Sequence, residues 1–515
     1  MARTRSIQAL ALSHALAAAA LSSATLAQFA REDQLVVPSA SLVADEFGGE
    51  IAVDGARMIV GACGLPSAAP GLATEPNAFV YERAADGSWI ESAVFSPPPT
   101  QSLVTAADPV ALAEDFAFVQ RAGGLGALYV HRRSALGAWP LVQTIDAAAV
   151  ISASEFRAQR DLLAVGLPYL TTPATGAIQI YKRTLQGEYL PEALVTAPWA
   201  HFGRELDLDG DRLVALADTG KVFVFERSPV GFWSLAATVA IPITQLPMDV
   251  ALSGDRFVVL AESPQTVARV YERDAGGTWT EQQVIEPATG WADTFGVGLD
   301  LRGDWLAVGA YTMNQPGTTF FAVGGAYLYR RAASGQWQQV VRVTSSDAVV
   351  SNGIGEGVAL GDDYVAVGGG FGSGTKGSVL TADIGTLFHT APEISTAAGG
   401  SQDLLLRAGP AHAGEIWVMV GSISGTNPGT AVPGTSLTLP LVLDAYSSAI
   451  LAGGAPLSKV IGVLTPLGIG QSTLALPAGV AAALAGTVVH HAYVALDANG
   501  AFTHASNAAA LRLAP

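Results

Sequence analysis

Six segments of this chain share one spacing. An aromatic residue or His is followed two positions later by Arg, four later by Gly, and two later by an aromatic. They are Tyr81, Arg83, Gly87, Trp89; His131, Arg133, Gly137, Trp139; Tyr181, Arg183, Gly187, Tyr189; Phe225, Arg227, Gly231, Trp233; Tyr271, Arg273, Gly277, Trp279; and Tyr329, Arg331, Gly335, Trp337. Four positions held over six copies mark a structural repeat, and a repeat of this length decides the fold before any other consideration. Five residues between Arg and the second aromatic, with Gly among them, suit a β-hairpin loop that needs a positive φ. Arg and the aromatic then face each other across the hairpin, in reach of a cation–π contact. Recurrence in every copy favours packing over a glycan-binding row of aromatics.

Upstream of each such hairpin lies another, with turns at Asp54-Gly55, Glu114-Asp115, Arg160-Asp161, Gly210-Asp211, Gly254-Asp255, Gly303-Asp304 and Gly361-Asp362. Each turn leads into an apolar run, as in Met58-Ile59-Val60-Gly61-Ala62. Seven copies at four strands each predict a seven-bladed β-propeller. The seventh copy lacks its outer hairpin: Ser378-Val379-Leu380 and Thr386-Leu387-Phe388 follow, and no Gly-x-Trp. The surplus segment Gln34-Leu35-Val36-Val37 near the start matches Gln339-Val340-Val341. It is expected to supply the missing strand and seal the ring, which leaves no blade edge unpaired.

At Phe47-Gly48 leading to Gly61-Ala62, and Phe295-Gly296 leading to Gly309-Ala310, the chain resembles the FG-GAP repeat family, the blades of propellers such as the integrin α-subunit head. Phe202-Gly203 is a third, partial match; the other copies lack the pair, and no Pro follows the Gly-Ala. The resemblance covers residues 34–388 and implies the fold. The family includes adhesion proteins, a glycosylphosphatidylinositol-cleaving phospholipase and many secreted bacterial proteins, so it implies no single activity. Its calcium loop reads D-x-D-x-D-G-x-x-D. The nearest approach here, Asp207, Asp209, Gly210 and Asp211, sets Gly before the third acid and has Leu213 and Val214 continuing as strand. We therefore expect an ordinary turn and no cofactor, with calcium on Asp207, Asp209 and Asp211 as the alternative.

The composition fits an all-β chain, with 57 Gly, 28 Pro and only 14% charged residues in 515. Arg3 and Arg5 precede an Ala- and Leu-rich run to Leu26, with Thr25 and Ala27 placed for cleavage before Gln28. Residues 1–27 thus read as a signal peptide, and the protein as exported: extracellular, cell-surface or periplasmic, without membrane insertion after cleavage. A net charge of −17 disfavours nucleic acid and anionic membranes. Cys63 is the only cysteine and reads as a small buried hydrophobe.

The propeller is expected over 28–389, a linker over 390–401 and a β-sandwich-like domain over 402–515. Strands are expected at Leu404–Arg407, Glu415–Val420, Leu437–Leu443, Lys459–Leu464, Ser472–Leu476, Thr487–Leu496 and Leu511–Leu513, with a hairpin turn at Asn499-Gly500. On Gly414–Gly425 and His490–Asp497 this region is similar to a small C-terminal domain of many large secreted bacterial proteins. That likeness implies no activity, and placement alone points to surface retention or export. His490 and His491 alternate on a strand and cannot readily share a metal.

Neither a nucleophile elbow nor a P-loop is present, and the eight His show no metal spacing. The expected function is a monomeric binding or scaffold protein for a surface protein or glycan. An exported hydrolase or lyase acting on phosphoesters or polysaccharides is the alternative, because propeller enzymes assemble their sites from several blades. Two insertions, Leu65–Asn77 and Tyr311–Gly324, fall at corresponding places; Tyr311, Met313, Asn314, Phe320 and Phe321 make the second the expected binding rim.

Overall fold

The computed structural model describes residues 29–39, 47–62, 78–84, 88–96, 109–120, 127–145, 155–170, 175–242, 247–262, 265–286, 294–313, 323–332, 334–345, 353–369 and 377–515, the last without 410–411, 436, 454–455, 467 and 480–483. The expected signal segment lies outside them, as does Cys63. Contacts group the chain into two compact units. One comprises the described residues of Gln34–Gln339 and Asp347–Ala382; the other comprises those of Val340–Ser346 and Asp383–Pro515, with 29–33.

The first unit is the propeller. Seven four-stranded antiparallel blades follow one another in sequence, the sixth extended by Phe29–Arg31 in parallel with Arg342–Thr344, and each opens on an inner strand: Ile51–Asp54, Val110–Ala113, Phe156–Gln159, Leu206–Asp209, Asp249–Ser253, Phe295–Arg302 and Gly357–Leu360. Each inner strand packs beside the next, and Gly357–Leu360 packs back against Ile51–Asp54, which closes the ring. The turns that end the inner strands hold Gly55, Gly210, Gly254 and Gly303 at φ of 57 to 60°, and Glu114 and Arg160 at 52 and 53°. That left-handed geometry matches the right-handed twist of a two-residue hairpin, which is why Gly recurs there. The second strands, such as Arg57–Gly61 and Tyr364–Gly369, are buried almost throughout. Covered on both faces by neighbouring blades, they read as unbroken apolar runs. Each such Val or Leu contributes about 1.5–3 kcal/mol of hydrophobic burial.

Ring closure follows the sequence expectation. Gln34–Val36 pairs antiparallel with Val379–Thr381, Leu35 opposite Leu380, as the fourth strand of the seventh sheet. The Gln34 side chain confirms the register, since its amide donates to the Trp89 carbonyl (3.1 Å) and accepts from the Trp89 N–H (2.7 Å). Gln143 grips Tyr189 and Gln283 grips Trp337 in the same two-bond manner. A fourth-strand glutamine thus fastens the following blade three times around the ring.

The repeated Arg also works between blades. Arg and aromatic are cross-strand partners as expected, as at Arg83–Trp89 and Arg227–Trp233. Among the described residues the motif Arg pairs elsewhere than in the expected stack on that aromatic. Every motif Arg reaches instead to a carboxylate of the preceding blade: Arg83 to Asp363, Arg133 to Glu82, Arg183 to Glu114, Arg227 to Glu192, Arg273 to Glu226 and Arg331 to Glu272. Where a motif Arg covers an aromatic ring, the ring too belongs to that preceding blade: Arg83 over Tyr364 and Arg183 over Phe116. A charge-assisted bond to a planar guanidinium outweighs a cation–π contact at a half-exposed site.

The second unit is a β-sandwich. One sheet orders Leu387–His389, Gly400–Arg407 and Ile469–Leu476. The other orders Glu393–Ser395, Ala509–Ala514, Val488–Leu496, Ile416–Ser422 and Ile461–Val463. Leu404, Leu406, Trp417, Met419, Tyr493 and Leu511 fill the space between them. Three expectations need correction. Leu387–His389, expected in the last blade, pairs with Leu404–Leu406. Residues 390–401, expected as a linker, contain Glu393–Ser395, which pairs with Arg512–Ala514; the small residues there make a tight bend, with the Gly399 N–H bonded to the Ser395 carbonyl. The expected strand Leu437–Leu443 shrinks to Thr438–Leu439, because Pro440 cannot donate to a ladder. A short helix, Ala445–Leu451, follows, capped by Asp444 and Ser447.

Candidate functional site

In a closed propeller the inner strands present a free edge to the axis. Their outward N–H groups have no ladder partner and must find one elsewhere. In five of the seven blades, side chains of the inner strand lean toward the following blade at the channel wall and meet that edge. Asp209 accepts from the Gly254 N–H (2.6 Å), Gln159 from Gly210 (2.5 Å) and Ser253 from Gly303 (2.9 Å), and Asp54 takes the Glu114 N–H in the same way. Two residues back along the strand, Asp207 accepts from Leu252 and Asp300 from Leu360, both at 2.6 Å. These carboxylates staple neighbouring blades together.

A cavity of 410 Å³ lies between the inner strands, lined by residues of all seven. Arg157, Asp207 and Asp300 from blades three, four and six, with Ala251 of blade five between the two acids, face an arc of Ala359, Ala52 and Ala111 from blades seven, one and two. No aromatic side chain is among its lining residues. Two residues further along the strands, about 7 Å at the usual rise, come Glu50, Glu155, Glu205 and Asp249, a collar of acids from blades one, three, four and five.

Arg157 is the cation common to these groups. It contacts the Glu155 carboxylate and lies 3.8 Å from that of Asp207. Burial works against its charge, but Glu155, Asp207, Glu50 and Asp249 more than restore it. The acids are crowded, and their protons are held tightly. Burial, with the neighbouring carboxylates, pushes Glu50 up to about 8 and Glu205 to about 9. Burial likewise lifts Asp207 and Asp249 to about 7, against the pull of Arg157, and raises Glu155 and Asp300. Burial thus raises every one of these carboxyls around the Arg157 guanidinium, four of them to between about 7 and about 9.

The sequence reading placed function elsewhere. Tyr311 lies half-buried in a turn after Trp305–Ala310. Met313 is fully buried, its N–H bonded to the Ala310 carbonyl and its carbonyl to the Gly324 N–H, so its thioether packs inward instead of forming a rim. Asn314, Phe320 and Phe321 fall outside the described residues. Asp207, Asp209 and Asp211 do not converge: the first two staple blade five and the third accepts from Arg227. Among the described residues no group of three acids, His or Cys is arranged to hold a metal. The motif tryptophans are buried, Trp89 at 5% exposure and Trp279 at 8%, and offer no open stacking surface for a sugar. In the sandwich, His490 and His491 take opposite faces, and His491 bonds the Tyr446 hydroxyl (3.0 Å).

The collar of Glu50, Glu155, Glu205 and Asp249 is missed by the sequence reading although a signal is present. Counted back from each turn glycine or its equivalent, Glu50-x-Ala52-x-Asp54, Glu155-x-Arg157-x-Gln159 and Glu205-x-Asp207-x-Asp209 repeat one polar alternation. It resembles an ordinary half-exposed strand unless the ring is assumed first.

No family model matches the chain, and no curated protein does. Among solved structures, the chain is similar to a provisionally assigned 6-phosphogluconolactonase from Bacteroides uniformis, at 12% identity and a TM-score of 0.42, over 66% of this chain and 98% of that one. A second provisional 6-phosphogluconolactonase, from Bacteroides fragilis, is similar at 11% identity and a TM-score of 0.40, over 62% and 87%.

Proposed function

We propose that this chain is an exported or surface-associated binding scaffold, an FG-GAP-like propeller whose ligand site is the central cavity. The observation that carries the reading is the asymmetry of the cavity wall. A repeat that needed these positions only for packing would refill them alike, as it does the motif Arg and aromatic. Instead three successive blades present alanine, while the remaining arc holds Arg157, Asp207 and Asp300 on either side of Ala251. A concave site with an apolar side and a few converging polar groups is the usual form of a small-ligand pocket.

The test is a thermal-shift screen of the protein against amines, sugars, phosphoesters and carboxylates, repeated on Ala52→Phe, which fills the cavity from its apolar side. Some probe should stabilise the wild type and not the filled variant. A stabilising probe indifferent to the filling would place the site elsewhere. One further observation favours the second reading, a hydrolase or lyase: carboxyls that keep a proton near neutral pH can act as general acids beside an anion-binding Arg. Turnover of phosphoesters or polysaccharides lost in Asp207→Asn would favour it.

A further inference from the structure

The glutamines that fasten one blade to the next show what they grip, and one blade keeps the grip point without the glutamine. In blade one the Ala84 N–H bonds the Ser88 carbonyl. The next pair, Arg83 and Trp89, therefore exchanges no bond, and Trp89 turns its N–H and carbonyl outward. Gln34 takes both. Blade five repeats this ladder. There the Asp274 N–H bonds the Thr278 carbonyl and Arg273 gives its N–H to Asp255, so Trp279 presents the same outward pair. The residue placed to grip it is Ala237. It lies opposite Val224 in the register where Gln143 lies opposite Val130 and Gln283 opposite Val270.

A second contact is missing beside the first. Glu91, two residues after Trp89, accepts from the Ser39 N–H (3.0 Å) and the Ser39 hydroxyl (2.5 Å). Its counterpart in blade five is Glu281. Pro242 stands five residues after Ala237, as Ser39 stands five after Gln34, and proline has neither donor. A groove of 660 Å³ opens at this place, between residues 237–242 on one side and Tyr271, Trp279 and Glu281 on the other. Glu281 is held from behind, since the Tyr271 hydroxyl (3.0 Å) and the Arg269 guanidinium (2.9 Å) both donate to its Oε2. Its Oε1 and the Trp279 backbone pair have no partner among the described residues.

We propose that this groove binds a glutamine side chain of an extended polypeptide, its carboxamide on the Trp279 N–H and carbonyl and a nearby N–H or hydroxyl of the same peptide on Glu281. The site is separate from the central cavity and does not depend on it. The geometry selects the group. A primary carboxamide carries an N–H on the same side as its oxygen and can give and take at once. A trans peptide bond or an acetamido group holds N–H and C=O on opposite sides and cannot. A carboxylate has no hydrogen to give and is repelled by Glu281. Glutamine, rather than asparagine, has the reach that Gln34, Gln143 and Gln283 use within the ring. A polypeptide, rather than a free amide, supplies the second donor that Ser39 supplies to Glu91, and Val239 and Ile241 offer its chain an apolar wall.

The experiment is titration calorimetry of the full chain with acetyl-Ala-Gln-Ala-Ser methylamide, in which glutamine is the one primary carboxamide. Saturable one-to-one binding is expected, with slower hydrogen exchange of the Trp279 amide in the complex. Peptides with Glu, Asn or Met in place of Gln, and propionamide alone, should bind at least about tenfold more weakly. Ala237→Gln should rebuild the internal grip, abolish peptide binding and slow Trp279 exchange by about 30-fold, the worth of two hydrogen bonds. Absence of binding, equal binding of the Glu or Met peptide or of propionamide, or unaltered Trp279 exchange in Ala237→Gln would each overturn the proposal. Gln245 lies outside the described residues and serves as a control. Gln245→Ala should leave Trp279 exchange as it is, and faster exchange would show that the chain fills the pair itself, which also overturns the proposal. Binding should persist in Ala52→Phe, so this site and the central cavity stand or fall separately.

Discussion

Removing the side-chain amide of Gln34 tests how the ring is sealed. In Gln34→Ala the Trp89 N–H loses its acceptor at 2.7 Å and the Trp89 carbonyl its donor at 3.1 Å, in a part-buried setting. Each such bond contributes about 1 kcal/mol net, so the local opening free energy at Trp89 should fall by about 2 kcal/mol. That corresponds to about 30-fold faster exchange of the Trp89 amide, since 1.36 kcal/mol is a factor of ten. Hydrogen exchange suits the question better than global unfolding, because a chain of two units has no single unfolding free energy. Gln143→Ala read at Tyr189 and Gln283→Ala read at Trp337 are internal controls with the same two bonds. All three should accelerate alike. If Gln34→Ala leaves Trp89 protected while the controls respond, the first blade is held by something other than the closing strand, and the account of closure is wrong.

Other expectations follow from single contacts. Arg227 and Glu192 are 12% and 16% exposed, so Arg227→Met should cost about 2 kcal/mol in urea unfolding of the propeller. The more open pair Arg302–Asp362, at 43% and 72%, should cost less than about 1 when Arg302 is changed to Met. His389 is buried, which disfavours its charge, yet Asp33 at 2.5 Å, with Glu32 and Asp383, raises its pKa overall. Its stabilising effect is complete below the unfolded value of about 6.5 and fades as pH rises through the raised folded value. Melting of the second unit should therefore drop as pH rises above about 6.5 in the wild type, and Asp33→Asn should abolish that slope; an equal slope would refute the pairing. In Gly462→Ala the new Cβ would lie 2.5 Å from the Trp417 ring, which is fully enclosed, and should cost about 1–3 kcal/mol in thermal unfolding.

The parts of the structure legible in the sequence are those fixed by local rules. Turn glycines, the hairpin motif and the apolar second strands repeat at constant spacing, and the orphan strand at Gln34 is the complement of what the seventh copy lacks. What stayed hidden depends on neighbours far away in sequence. The partner of Arg83 is Asp363, 280 positions on, and nothing near Arg83 names it. The channel levels draw one residue from each of several blades, so they exist only once the ring does. Leu387 misled for a related reason: an apolar triplet after the last repeat fits a blade and a sandwich equally, and only its pairing with Leu406 decides. The helix at Ala445–Leu451 is shorter than any periodicity could expose, although Asp444 and Ser447 are a readable cap.

Because Gln34–Val36 waits for Ser378–Asp383, the two halves of the closing pair leave the ribosome far apart in time. At ordinary synthesis rates the 341 residues between them occupy roughly 17 to 70 s. Through that interval a short apolar strand has no legitimate mate, and blades that are already made stand as an open arc with sticky ends. A chaperone, or passage across a membrane in an unfolded state, would guard the same few residues, and a stalled or truncated product would be prone to link with its own kind through them.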